Sequence, residues 1–107
     1  MKMDLLQGTL DVLLLKAISR GPLHGYAVVR WIEQAAQEEL RIEEGALYPA
    51  LHRLERRGWI EAEWGISENK RKAKFYRLTD PGRRALDAET ETWQRYAMAV
   101  GRVLQAV

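Results

Sequence analysis

The chain has no cysteine, which excludes disulfides and thiolate metal sites and fits a reducing compartment. It has no long apolar run either. The stretch MKMDLLQGTLDVLLLKAISRG is broken by Asp11 and Lys16, carries no signal-cleavage pattern and is too short and too charged to cross a bilayer. A cytoplasmic protein with no membrane partner is the simplest inference. Catalytic strings are missing as well, with no P-loop, GxSxG or HExxH sequence present. His24 and His52 have no Ser or Asp arrangement near them, and Glu43-Glu44 and Glu61/Glu63 read as solvated faces. No catalytic residue, metal site or cofactor is therefore expected.

A strong charge of one sign is also lacking, because the net charge is +2 over 107 residues. That length supports one domain with a single modest core. An apolar share of 47% and a charged share of 30% argue against wholesale disorder.

The distribution of charge says more than its sum. Between Asn69 and Thr79 lie Lys70, Arg71, Lys72, Lys74 and Arg77 with no acid among them. A local field of that kind attracts polyanions, although a solvated hairpin tip would look the same.

Hydrophobic spacing divides the chain into four helices and a hairpin. Leu6, Leu10, Leu13, Leu14 and Ala17 keep helical spacing until Gly21-Pro22, which predicts a first helix over Thr9–Ser19 or from Asp4. Val12 and Leu15 lie off that stripe, and apolar residues on more than one face suggest a partner subunit. Val28, Trp31, Ile32 and Ala35 mark a second helix after His24-Gly25, closed by Gln37-Glu38-Glu39. Leu40-Arg41-Ile42 reads as a short extended link.

The third helix carries Leu47, Ala50, Leu51 and Leu54 on one face. Its opposite face carries Gly45, Tyr48, Pro49, His52 and Arg56, with Arg53 at the margin. Pro49 lacks a backbone donor, so it either sits in the first turn of a helix starting near Ala46 or is tolerated as an irregularity. Trp59–Trp64 alternates Ile60, Ala62 and Trp64 against Glu61 and Glu63, as a strand does. Gly65–Arg71 is the turn, and Lys72–Thr79 returns with Tyr76 and Leu78 facing inward. Thr79 caps a last helix, with Asp80 and Pro81 in its first turn.

That last helix, running to about Ala106, spans roughly 40 Å. Trp93, Tyr96, Val100, Val103 and Val107 repeat along it at steps of three and four, as in a coiled-coil seam. The stripe predicts a homodimer interface built from Val12, Leu15, Trp93, Tyr96, Val100, Val103, Leu104 and Val107. Intramolecular cover for the core is the alternative. Gly101 beside the stripe weakens the helix by about 1 kcal/mol, which suits close packing.

A short helix after a turn can enter the major groove of duplex DNA, and a basic hairpin can lie on the adjoining backbone. Tyr48, His52 and Arg53 can donate hydrogen bonds there, with Arg53 the expected guanine reader. Arg57 reads as a complement to the helix dipole, and Arg56 fits either role. The fold class is mainly α (α+β), a winged helix-turn-helix with a two-stranded wing and a long C-terminal dimerisation helix. Residues 1–79 form the DNA-binding part, and residues 80–107 form the helix packed with it in one domain.

The strings LLQGTLDVLLLKAISRGPLHGYAVVRWIE, GALYPALHRLERRGWI and KAKFYRLTDPGRRAL resemble the PadR family of bacterial transcriptional regulators. The likeness runs from about Leu5 to Leu86. Its motifs HGY (His24–Tyr26), LYPAL (Leu47–Leu51) and YRLT (Tyr76–Thr79) are specific in this order and spacing. The resemblance implies a homodimeric repressor on an inverted-repeat operator, with the last helix as the dimerisation element. It places Tyr48 and Pro49 with their neighbours on the recognition helix, and Lys70, Arg71, Lys72 and Lys74 on the wing. Tyr26 then faces either the phosphate backbone or the core. The chain length matches the short subfamily, in some members of which a tryptophan at the dimer centre stacks on flat aromatic ligands. Trp93 occupies such a position, either as an effector site or as seam packing. A winged-helix protein-interaction module is the rival function, and the basic wing argues against it.

Overall fold

The computed structural model describes residues 3–4 and 8–107. In chain order the elements are β1 (Met3–Asp4), α1 (Thr9–Ile18), β2 (Leu23–His24), α2 (Gly25–Ala35), β3 (Leu40–Arg41), α3 (Glu44–Arg56), β4 (Ile60–Ile66), β5 (Lys72–Leu78) and α4 (Asp80–Gln105). This is the expected winged helix with a long final helix.

The first helix starts at Thr9. Gly8 precedes it in the left-handed region (φ 87°), and Asp4 belongs to a strand that pairs in parallel with β3. A start at Asp4 is thereby excluded, and Leu6 lies outside the described residues. Leu14, Leu15, Ala17 and Ile18 are all buried. The breadth of that apolar surface has an intramolecular cause, because α1 is the central helix and packs against α2, α3 and α4. Leu15 has no accessible surface. It is a core residue, and its assignment to a dimer interface is corrected accordingly.

Around α1 the core gathers Val28 and Ile32 from α2 and Leu47, Ala50, Leu51 and Leu54 from α3. Ile60, Tyr76 and Leu86 close it from the sheet and α4. α3 buries the face that its spacing marks, whereas in α1 the off-stripe Leu15 is buried as well and in α4 the marked stripe stays exposed. Burial also pushes the Tyr76 hydroxyl pKa above its ordinary value, with the nearby Glu55 and Tyr48 adding to the effect.

Two helix boundaries rest on side-chain caps. His24 Nδ1 accepts from the Ala27 N–H at 3.2 Å at the start of α2, and Thr79 Oγ1 accepts from the Gly82 N–H at 3.0 Å at the start of α4. Thr79 also donates to the Gly58 carbonyl at 2.6 Å, so one hydroxyl joins the end of α3 to the start of α4. Gly58 turns the chain out of α3 at φ 76°, a conformation costly for any side chain.

α3 begins at Glu44, earlier than the Ala46 start, and holds Pro49 in its interior. The structure therefore takes the second of the two alternatives for Pro49.

β4 and β5 pair antiparallel from Ile60↔Leu78 to Ile66↔Lys72, and β2 adds a third strand at their base through Leu23↔Tyr76 and His24↔Phe75. The hairpin closes between Ser67 and Arg71, with Lys70 left-handed at φ 59°. Ile60 and Tyr76 are buried, but Trp64 on the same face is 61% exposed. The hairpin extends past the helices that cover its base, so the inward face becomes an outer one. There the Lys72 ammonium lies 5.3 Å from the Trp64 ring centre.

Candidate nucleic-acid interface

The outer surface of α3 follows from its inner one. With Leu47, Ala50, Leu51 and Leu54 turned into the core, a rotation of about 100° per residue leaves Gly45, Pro49, His52 and Arg56 along the opposite ridge. All four are exposed. Among the described residues, His52 and Arg56 make no side-chain hydrogen bond or ion pair.

The two flanks of that ridge differ. On the side of α2 and the sheet, Tyr48 lies across the start of α2, and a Cβ on Gly25 would stand 3.0 Å from its hydroxyl oxygen. Tyr26, the next residue of α2, is 70% exposed and is therefore not a core residue. Glu55 lies on the same flank and meets Lys74 of β5 at 3.9 Å, an ion pair between α3 and the hairpin.

On the other flank, Arg53 Nη2 donates to Asp11 Oδ1 of α1 at 2.8 Å, and Arg57 Nη1 lies 3.6 Å from Asp11 Oδ2. The Arg57 guanidinium also stacks 5.1 Å from the Trp59 ring centre. Arg53 is thus turned toward α1 and held there, off the ridge that carries His52 and Arg56. Helical spacing alone placed it at the margin; the carboxylate that claims it lies 42 positions away in the chain.

Lys70 and Arg71 are exposed at the hairpin tip, with no ion pair among the described residues. Lys72 is occupied by Trp64, and Lys74 by Glu55. The hairpin leans on the helices through His24 as well. Its buried Nε2 lies 3.5 Å from a Glu68 carboxylate oxygen in the turn, long for a hydrogen bond, while the ring meets Phe75 edge-on at 5.4 Å.

Known proteins that share this arrangement decide the family. The description "Transcriptional regulator PadR-like family" matches residues 14–88, which cover the second half of α1, α2, α3, the hairpin and the start of α4. The chain belongs to the PadR-like family. A crystal structure of a PadR family transcriptional regulator from Eggerthella lenta is 36% identical and has a TM-score of 0.76, covering 94% of this chain and 86% of that one. Uncharacterized protein X of Lysinibacillus sphaericus is 31% identical over 90 residues, 84% of this chain and 83% of that protein. An uncharacterized 37.1 kDa transposon protein of Streptomyces fradiae is 36% identical over 96 residues, 90% of this chain but 25% of its own length. The PadR-like chain is therefore a transcriptional regulator with a DNA-binding winged-helix fold.

The PadR-like fold leaves one large apolar surface uncovered. Beyond Leu86 no residue of α4 is buried. Trp93 (45% exposed), Tyr96, Val100, Val103, Leu104 and Val107 face outward there. Trp93, Tyr96, Val100 and Leu104 line an open groove of about 670 Å³ whose other wall is α1 at Thr9 and Val12. Among the described residues, no helix is long and apolar enough to cross a membrane.

Proposed function

We propose that the protein is a homodimeric repressor that binds an inverted-repeat operator with α3 in the major groove and the hairpin on the backbone beside it. The observation that carries this reading is the exposed ridge of Gly45, Pro49, His52 and Arg56, flanked by Tyr26 and Tyr48 and followed by the exposed cations Lys70 and Arg71. A ridge of small and donor residues can approach base edges, whereas exposed cations on a turn suit phosphates. Lys72 and Lys74 join the phosphate contacts by leaving Trp64 and Glu55, partners that hold them only at the surface.

Dimerisation follows from the apolar stripe on α4. Single exposed apolar residues are ordinary, but a contiguous stripe two turns and more in length marks an interaction surface. Val12 and the α4 residues Trp93, Tyr96, Val100, Val103, Leu104 and Val107 form that interface, with two copies related by a two-fold axis. The groove beside Trp93 can admit a flat aromatic effector against the indole, and its occupation would change how the two subunits meet. Residues 1–79 then carry DNA contact and residues 80–107 carry assembly, packed as one unit in the cytoplasm.

Selection from a library of random duplexes tests the proposal. A two-fold symmetric site, with half-sites about one helical turn or a multiple of it apart, is expected. Enrichment of no sequence would exclude a specific operator. A protein-interaction role for the same faces would then stand in its place.

A further inference from the structure

Arg53 and Arg56 lie in the last turn of α3 and Arg57 is the residue that caps its end, and the three are held differently. Arg53 and Arg57 share the two oxygens of Asp11, at 2.8 and 3.6 Å. The carboxylate between them is only 20% exposed, against 49% for each arginine. Arg57 is held a second time by stacking on Trp59. Arg56 is exposed on the ridge with His52 and has no such partner among the described residues.

We infer that Asp11 is a specificity-determining residue: it holds Arg53 and Arg57 against α1, out of reach of phosphates, and leaves Arg56 as the arginine that reads a base. This rests on the DNA-binding reading above and names the residues that make such binding selective. Three free guanidiniums on one short helix would grip any duplex, because phosphate contacts carry no sequence information. A half-buried carboxylate that withdraws two of them lowers affinity for all DNA while sparing the one directed along the ridge. Specificity is a ratio of affinities, so suppressing the unspecific member raises it.

The placement of Asp11 strengthens the case. Asp11 projects from α1 toward α3, whereas its neighbour Val12 lines the groove shared with Trp93. The restraint on the reading helix is therefore anchored in the central helix of the core. Simple surface pairing along α3 would not require a carboxylate from another element.

The test compares wild type, Asp11→Asn, the Arg53→Ala/Arg57→Ala double variant and Arg56→Ala on a random-sequence duplex across salt, with duplex selection for each protein. Asp11→Asn should bind random DNA at least about fivefold more tightly at 0.1 M salt, and its slope of log affinity against log salt should steepen by about 1 to 2. The arginine double variant should keep the wild-type slope, and adding Asp11→Asn to it should change nothing further. Arg56→Ala should lose preference at one base position in each half-site. An Asp11→Asn slope equal to wild type would overturn the inference, as would a double variant whose slope flattens by one or more. Wild type with no affinity for either kind of DNA would overturn the DNA-binding reading together with this one. That outcome is distinct from a failure confined to Asp11.

Discussion

The Tyr48 hydroxyl lies 3.0 Å from the point a Cβ on Gly25 would occupy, so the first residue of α2 is buried beneath a tyrosine from α3 and has little room for a side chain. The contact joins the HGY and LYPAL motifs, which are separated in the chain by α2 and β3. Each motif divides its residues between support and exposure. His24 caps α2, Gly25 admits Tyr48, and Tyr26 faces out. Leu47, Ala50 and Leu51 anchor α3, while Tyr48 and Pro49 lie on its surface.

Gly25→Ala should therefore act on Tyr48 more than on the fold. Tyr48 is 58% exposed and can swing away, so unfolding stability should change by less than about 1 kcal/mol. Affinity for the selected operator should fall several-fold as the tyrosine leaves its place. Denaturant titration and operator binding, measured on the same preparation, separate the two effects.

Gly82 allows no such adjustment. A Cβ there would stand 1.8 Å from the Trp59 carbonyl oxygen, a backbone atom at the junction of α3 and β4. Gly82→Ala should cost about 2 kcal/mol or more by forcing the start of α4 off the sheet. A lower denaturation midpoint at unchanged slope is the expected signature.

Removing the charges of Lys70, Arg71 and Lys72 together should weaken binding to every duplex and leave sequence preference intact. The salt slope should flatten by up to about 0.9 for each phosphate that is no longer neutralised. An unchanged slope would remove the hairpin tip from the backbone.

Replacing Val100 and Val103 with Glu should separate the subunits. Both residues are exposed in the single chain, so the fold has no need of them and the variant should stay folded as a monomer. Sizing with light scattering reads the mass directly, and a double variant that remains dimeric would refute the α4 interface.

Local signals that act within a few residues were legible from sequence. The apolar face of α3, the cap at Thr79 and the alternation around Ile60 and Tyr76 each express a period or a hydrogen bond between chain neighbours. β1 and β2, at two residues each, are too short to show a period; β3 coincides with the extended link at Leu40-Arg41-Ile42, but its pairing with β1 has no local signal. Leu15 belongs to the core rather than to an interface because spacing shows that α1 is apolar on more than one face but not what surrounds each face. The Asp11–Arg53 pair spans α1 and α3 and leaves no periodic trace. Trp64 keeps the alternation of β4, yet only the reach of the helices above it decides that its face is open.

Sequence-specific binding by a dimer through α3 and the hairpin is open to one decisive measurement. Equilibrium binding to the DNA immediately upstream of the protein's own gene, titrated across salt and set against random duplex, tests it most directly. A preference of at least about a thousandfold for the upstream DNA is expected, with protection of a symmetric site. Equal, weak binding to both DNAs would contradict it and reduce the hairpin to a nonspecific cationic patch.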